Sequence, residues 1–162
     1  MSPSTYPIAL DRDRELAAEI GLLLSAYAII DLFILHIYSA VSCQDKDSAS
    51  VVLGKIKSNG QRIALIRELL RASNRSAKEF ELELIDGVEK ATRVRNQYAH
   101  AIYSQVSTNQ TGWRMSMWLS DGAKRKKEFK DISVTSVRED CLLVRSVLKS
   151  LFHFGGIAVA YE

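Results

Sequence analysis

The sequence predicts an all-α fold, a four- to five-helix up-and-down bundle with a small antiparallel β-hairpin insertion directly after the helix that carries its most chemical motif. Three observations lead there. Apolar residues recur at intervals of three and four along most of the 162 residues, and eight glycines and two prolines leave long stretches without a helix breaker. One stretch, WRMSMWLS from Trp113, instead alternates with a period of two. The composition, 47% hydrophobic and 25% charged, is that of a soluble globular chain, and no repeat, low-complexity run or linker divides it, so residues 1–162 read as a single domain.

The first helix runs from about Asp13 to Ser42, free of proline and nearly continuous in apolar content. Asp47 or Ser48 caps ASVVLGKIK, and Ser58, Asn59 and Gly60 break the chain after it. The third helix, QRIALIRELLRAS, sets Ile63, Ile66 and Leu70 on one face, widened by Leu69. Ser76 and Glu79 form a capping box that opens a fourth helix, Ser76 to about Tyr103, with Leu84, Val88, Ala91, Tyr98 and Ile102 as its apolar stripe. The insertion then occupies about 103–132. It consists of WRMSMWLS, a turn at Asp121 and Gly122, and the return strand AKRKKEFKDI, with room for a third strand around Tyr103 to Ser107. Helix resumes near Thr135 with Val137, Cys141, Val144, Leu148 and Leu151 as its stripe and stops at Gly155 and Gly156.

Composition also limits function. A net charge of +3 permits an RNA partner without requiring one. Cys43 and Cys141 stand far apart, without a second cysteine or a histidine at metal spacing, and read as reduced, buried thiols of a cytoplasmic protein. The start, MSPSTYPIALDRDREL, has neither the basic and apolar regions of a secretory signal nor the acid-poor character of a transit peptide, so no export is expected. The apolar stretch from Ile20 to Cys43 is long enough to span a bilayer, but Asp31 and His36 interrupt it, and no membrane association is expected. Its apolar residues Leu32, Phe33, Leu35 and Ile37 are instead candidates for burial against a second copy of the chain, a homodimer. There is no carboxylate and histidine set for zinc or iron, no glycine-rich phosphate loop and no serine elbow, so neither metal nor cofactor is expected.

The segment RNQYAH, beginning at Arg95, concentrates the chemistry that remains. On a helix Asn96 and His100 lie one turn apart, and Tyr103 continues the same side. Arg95 is about 140° round from His100 at roughly 100° per residue. Three arrangements bring the two together: a long arginine side chain reaching round, a helix that loosens toward the hairpin, or a histidine supplied by a second subunit. Arg93 lies closer to the polar strip and, with Tyr103, is an accessory candidate. These residue types suit transfer at a phosphodiester. A neutral imidazole takes the proton of a ribose 2′-hydroxyl, its protonated form gives one to the leaving oxygen, and a guanidinium holds the charge that grows on phosphate. The asparagine amide orients the imidazole or donates to a phosphate oxygen.

Arg95, Asn96 and His100, an arginine and a polar residue with a histidine four intervening positions after the arginine, in a late helix of a small helical domain, resemble the motif of the HEPN superfamily. The resemblance implies a metal-independent endoribonuclease whose arginine and histidine meet those of a second protomer, in a toxin or phage-defence role. It also implies a possible partner, a cognate antitoxin or nucleotidyltransferase. Some members carry a tyrosine two residues beyond the histidine that such an enzyme modifies, whereas Tyr103 stands three beyond.

The basic run Lys124, Arg125, Lys126 and Lys127 is the candidate RNA-gathering rim, with edge-strand protection as its structural counterpart. Trp113 and Trp118 fall on opposite faces of their strand, so at most one serves as a base-stacking platform. A structural reading stands beside the catalytic one for the motif too: Arg95 paired with Asp31 or Glu19 of the first helix, His100 bonded to a backbone carbonyl, and the chain acting as a non-catalytic helical interaction module.

Overall fold

The computed structural model describes residues 13–74, 78–106, 112–121 and 124–154. Among these residues there are five helices and one antiparallel sheet, in the order α1 (Arg14–Ser42), α2 (Lys46–Lys55), α3 (Asn59–Ala72), α4 (Lys78–Ala99), β1 (Ile102–Val106), β2 (Gly112–Asp121), β3 (Lys124–Ile132) and α5 (Val134–Phe154). The mainly helical expectation is met, and the hairpin gains its third strand, in the order β1-β2-β3. The capping-box residue Ser76, the turn residue Gly122 and the terminal Gly155 and Gly156 lie outside the described residues.

Two compact units make up the chain: Met1–Leu24 with Val94–Leu142, and Ser25–Arg93 with Leu143–Glu162. In the second, Ile63, Ile66 and Leu70 of α3, Leu84, Val88 and Ala91 of α4, and Val144, Leu148 and Leu151 of α5 are all buried, as their spacing requires. Phe33 and Phe152 meet edge to face at 5.1 Å. A polar chain runs through this unit. The Tyr27 hydroxyl shares a 2.8 Å hydrogen bond with Thr92, Asn59 Nδ2 donates to Tyr27, and the same amide donates to Asp31. Burial pushes the Tyr27 hydroxyl above its ordinary value. Asp31, an obstacle to a membrane span in the sequence, is thus satisfied inside the unit. By length and composition α1 is still apolar enough to cross a bilayer, with 44% of its most apolar window buried.

The first unit has its own buried set. Asp13 accepts from Leu16 N at 2.9 Å, capping α1, and from the Trp113 indole at 2.9 Å. Trp113, Met115 and Ile132 are buried, Arg114 between the first two is partly exposed, and Ser116 is buried; the stretch with a period of two is strand β2. Val137 and Cys141 of α5 are buried here as well. Arg138 joins Glu15 and Glu19 across ion pairs of 2.8 and 2.7 Å.

Four local expectations are corrected. The cap of α2 is Asp45, whose carboxylate accepts from Ser48 N, rather than Asp47 or Ser48 itself. Asn59 and Gly60 lie inside the first turn of α3, which Ser58 caps through its bond from Gln61 N. Helix α4 stops at Ala99, so Ile102 belongs to β1 and is 48% exposed rather than part of a buried stripe. Cys43 is exposed, not buried. It follows α1 with φ of 55°, and Gln44 N donates back to Ser39 O at 3.2 Å, the closing bond of a Schellman cap. A residue at that position projects from the end of the helix whatever its hydrophobicity.

Candidate functional site

Helix α4 carries the motif to its C-terminal end, where the last carbonyls have no intrahelical donor. Two groups within the unit bind some of them. His100 N donates to Asn96 O at 3.3 Å, and the Tyr103 hydroxyl, returning on β1, donates to Tyr98 O at 2.7 Å. His100 is therefore the residue at which helix gives way to strand, and it is exposed. Tyr103 does not continue the polar strip of a helix as its spacing suggested. Its ring is half-buried in β1, burial pushes its hydroxyl up to about 12, and its proton is committed to the Tyr98 carbonyl.

Tyr98 anchors this end of the helix from below. The side chain is buried, and its hydroxyl donates to Asp140 Oδ2 of α5 at 2.6 Å; Lys130 of β3 stands 3.4 Å from the same oxygen. Burial first, and the bond to the carboxylate second, push the Tyr98 hydroxyl well above the ordinary tyrosine range. Helix α4, strand β3 and helix α5 are thereby tied together within a few ångströms of the motif. No spacing in the sequence announces this tie, because its partners are separated by 42 residues.

Above that anchor Arg95 and Asn96 pair directly. Arg95 Nη1 donates to Asn96 Oδ1 at 2.9 Å. Neighbouring residues do not face each other on a helix, and the length of the arginine side chain makes the contact. Asn96 is the link: its side-chain oxygen holds the guanidinium and its backbone oxygen receives His100 N. With that oxygen engaged, the amide presents its NH2 as a donor. Arg95 is half-buried, Asn96 and His100 are exposed, so a guanidinium, an amide and an imidazole share an accessible helix end. Such a set can hold an anion and move a proton.

Of the accessory candidates, Arg93 is exposed and pairs with Glu89 at 3.0 Å; Glu89 also accepts from Arg67 at 2.6 Å, and that hydrogen bond chiefly holds its carboxyl below the usual range. Lys124, Arg125, Lys126 and Lys127 lie in β3, in register with Asp121, Ser120, Leu119 and Trp118; their side chains, and that of Trp118, lie outside the described residues. Trp113 is buried and bonded to Asp13, which leaves it no stacking role. Of the α1 residues expected to face a second copy, Leu32 is 63% exposed, while Phe33 and Ile37 are buried within their own chain. Leu32 lines an apolar pocket of about 310 Å³ with Ile29, His36, Phe152 and Phe154. Among the described residues no three His, Cys, Asp or Glu side chains converge as metal ligands would.

Comparison of the chain with protein-family models, with curated proteins and with solved structures gives no match.

Proposed function

We propose that this protein is a metal-independent endoribonuclease, as the HEPN resemblance of Arg95, Asn96 and His100 implies, acting in the cytoplasm as a homodimeric up-and-down helical bundle. The observation that supports the reading is the exposed end of α4, where Arg95 donates to the Asn96 side chain, the His100 main chain bonds Asn96 one turn on, and the side chains of Asn96 and His100 are exposed.

In this mechanism the ribose 2′-oxygen attacks phosphorus and the bond from phosphorus to the 5′-oxygen breaks. One imidazole takes the 2′-hydroxyl proton and another, protonated, gives its proton to the leaving oxygen. One chain has one His100, so the second comes from the partner copy across a two-fold axis. Arg95 neutralises the phosphate as charge grows on it, and Asn96 keeps the guanidinium in place. Basic residues of β3 gather the substrate. The products are a 2′,3′-cyclic phosphate and a free 5′-hydroxyl. The test is end-group analysis of RNA cut by the pure protein, with a substrate carrying one 2′-deoxyribose at the cleaved position as control. Cyclic phosphate ends, and no cutting at the deoxyribose, are the expected result; 3′-hydroxyl and 5′-phosphate ends contradict it.

The apolar pocket beside Leu32 favours a second reading, a helical module that docks an effector such as a nucleotidyltransferase and cuts nothing. Under that reading His100→Ala leaves the protein's biological effect unchanged.

A further inference from the structure

Three residues in register cross the sheet that follows His100: Tyr103 on β1, Met115 on β2 and Lys130 on β3. Directly opposed residues project on the same face, and Met115 in the middle of this row is fully buried. Both ends of the row reach Tyr98. The Tyr103 hydroxyl donates to the Tyr98 carbonyl at 2.7 Å, while Lys130 stands 3.4 Å from Asp140 Oδ2, the oxygen that accepts the Tyr98 hydroxyl at 2.6 Å. One sheet row therefore holds the residue two before His100, directly by its backbone oxygen and through Asp140 by its side chain.

The bond to the carbonyl falls where the helix needs it. In a continued helix the Tyr98 carbonyl would accept from the amide four residues on, that of Ile102. Ile102 has already entered β1, where it pairs with Ser116. The Tyr103 phenol takes the place of that amide and bridges the chain from residue 98 to residue 103, closing a loop that contains His100. Within the loop the main-chain N–H of His100 donates to Asn96 O at 3.3 Å. An exposed imidazole is not fixed by packing, so its place is set by the backbone that carries it, and this backbone is held on both sides. Acid–base chemistry depends on such placement, since a displacement of about 1 Å costs on the order of a hundredfold in rate. Burial pushes the Tyr103 hydroxyl up to about 12, so its bond persists across the whole range in which a histidine titrates.

We propose that Tyr103 is a positioning residue for His100: by capping the Tyr98 carbonyl from the sheet, it fixes where α4 ends and so where the imidazole stands. Tyr103 acts through the backbone and moves no proton itself. The three-stranded insertion thereby has a task in the site, holding the helix end that it follows. The catalytic consequence rests on the ribonuclease reading, whereas the placement of His100 does not.

The test compares the intact wild type with Tyr103→Phe, which removes one oxygen from a half-buried ring and leaves the fold in place. Asp45→Ala, which deletes the cap of α2 and touches none of these residues, is the control for a general loss of stability. Amide hydrogen exchange, read residue by residue by NMR, should quicken at His100 roughly fivefold in Tyr103→Phe, the equilibrium weight of one neutral hydrogen bond. In Asp45→Ala the His100 amide should exchange as in the wild type. In RNA cutting, Tyr103→Phe should lower kcat about fivefold with KM within about twofold, and the pH midpoints of kcat should not move. Equal His100 exchange in wild type and Tyr103→Phe overturns the proposal, as does equal acceleration in Asp45→Ala, or a wild-type His100 amide that exchanges as fast as in an unfolded chain. A cutting wild type with undiminished kcat in Tyr103→Phe also overturns it, and so does an alkaline limb that vanishes with the hydroxyl, since the phenol would then be a proton donor. The two ideas fail separately. Equal His100 exchange in proteins that cut sinks the positioning role and spares the nuclease, whereas faster exchange in Tyr103→Phe with no cutting by the wild type sinks the nuclease and leaves the placement of His100 standing.

Discussion

Tyr98→Phe tests the anchor beneath the motif. The substitution removes one oxygen and leaves a buried ring of the same shape, so no cavity forms and the loss is that of the hydrogen bond to Asp140. A bond to a charged acceptor contributes about 1.5–3 kcal/mol. The Asp140 side chain is 23% exposed and keeps Lys130 at 3.4 Å, so water and the ammonium partly replace the phenol. The low end, about 1.5 kcal/mol, is therefore expected. For a chain of this size that corresponds to a drop in Tm of about 3–6 °C. Denaturant unfolding should show the same loss with an unchanged slope. A double-mutant cycle with Asp140→Ala should give a coupling of about 1 kcal/mol, because each change alone breaks the same bond. The alkaline limb adds a signed check. In the folded chain the Tyr98 proton is held above the ordinary tyrosine value of 10.0, so the unfolded chain ionises first and stability falls as pH rises past that value. Tyr98→Phe should lose part of that alkaline sensitivity. A loss below about 0.5 kcal/mol, or an unaltered alkaline limb, would refute the anchoring argument.

Cys43→Gly should stabilise the protein by about 1 kcal/mol in denaturant unfolding, because a residue with a Cβ pays to adopt the left-handed conformation that closes α1. Tyr103→Phe should flatten the fall in stability between pH 10 and about 12, the window in which the unfolded tyrosine is ionised and the folded one is not. Glu89→Gln should be destabilising at neutral pH, where Glu89 is charged and bonded to Arg67. The difference from wild type should shrink as pH falls below the ordinary carboxyl value, because the folded group has the lowered pKa and its contribution is lost as it protonates. Unfolding curves between about pH 3 and 7 check this, and a difference independent of pH contradicts it.

Much of this fold was legible where one period dominates. The five-residue stripe of α5 describes a face that must be buried, and it is; of the alternating face of β2, Trp113 and Met115 are buried. The end of α4 was not legible, because Ile102 follows Tyr98 at a helical interval and periodicity alone cannot register a helix that stops between them. The stop depends on a tyrosine in the next strand reaching back to a carbonyl, a contact of tertiary structure. Capping was ambiguous around α2 because Asp45, Asp47 and Ser48 are all good cap residues, and which one caps depends on where the preceding helix releases the chain. Cys43 was misread because residue type predicts burial only on average, while a position in a helix cap is set by backbone geometry. In the site, helical spacing set Asn96 and His100 one turn apart, and a main-chain bond joins them across the end of α4. That spacing gave no hint that Arg95 bonds its immediate neighbour, nor that Asp140 holds the helix end.

The most direct measurement is cleavage of mixed single-stranded RNA in EDTA by the wild type and by His100→Ala, with melting temperature and mass in solution recorded for both. His100 is exposed, so the variant should match the wild type in stability within about 0.5 kcal/mol and in oligomeric state. The account predicts metal-free cutting by the wild type and none by the variant. Equal cutting by both, or a folded dimer of wild type that cuts no RNA, would contradict it.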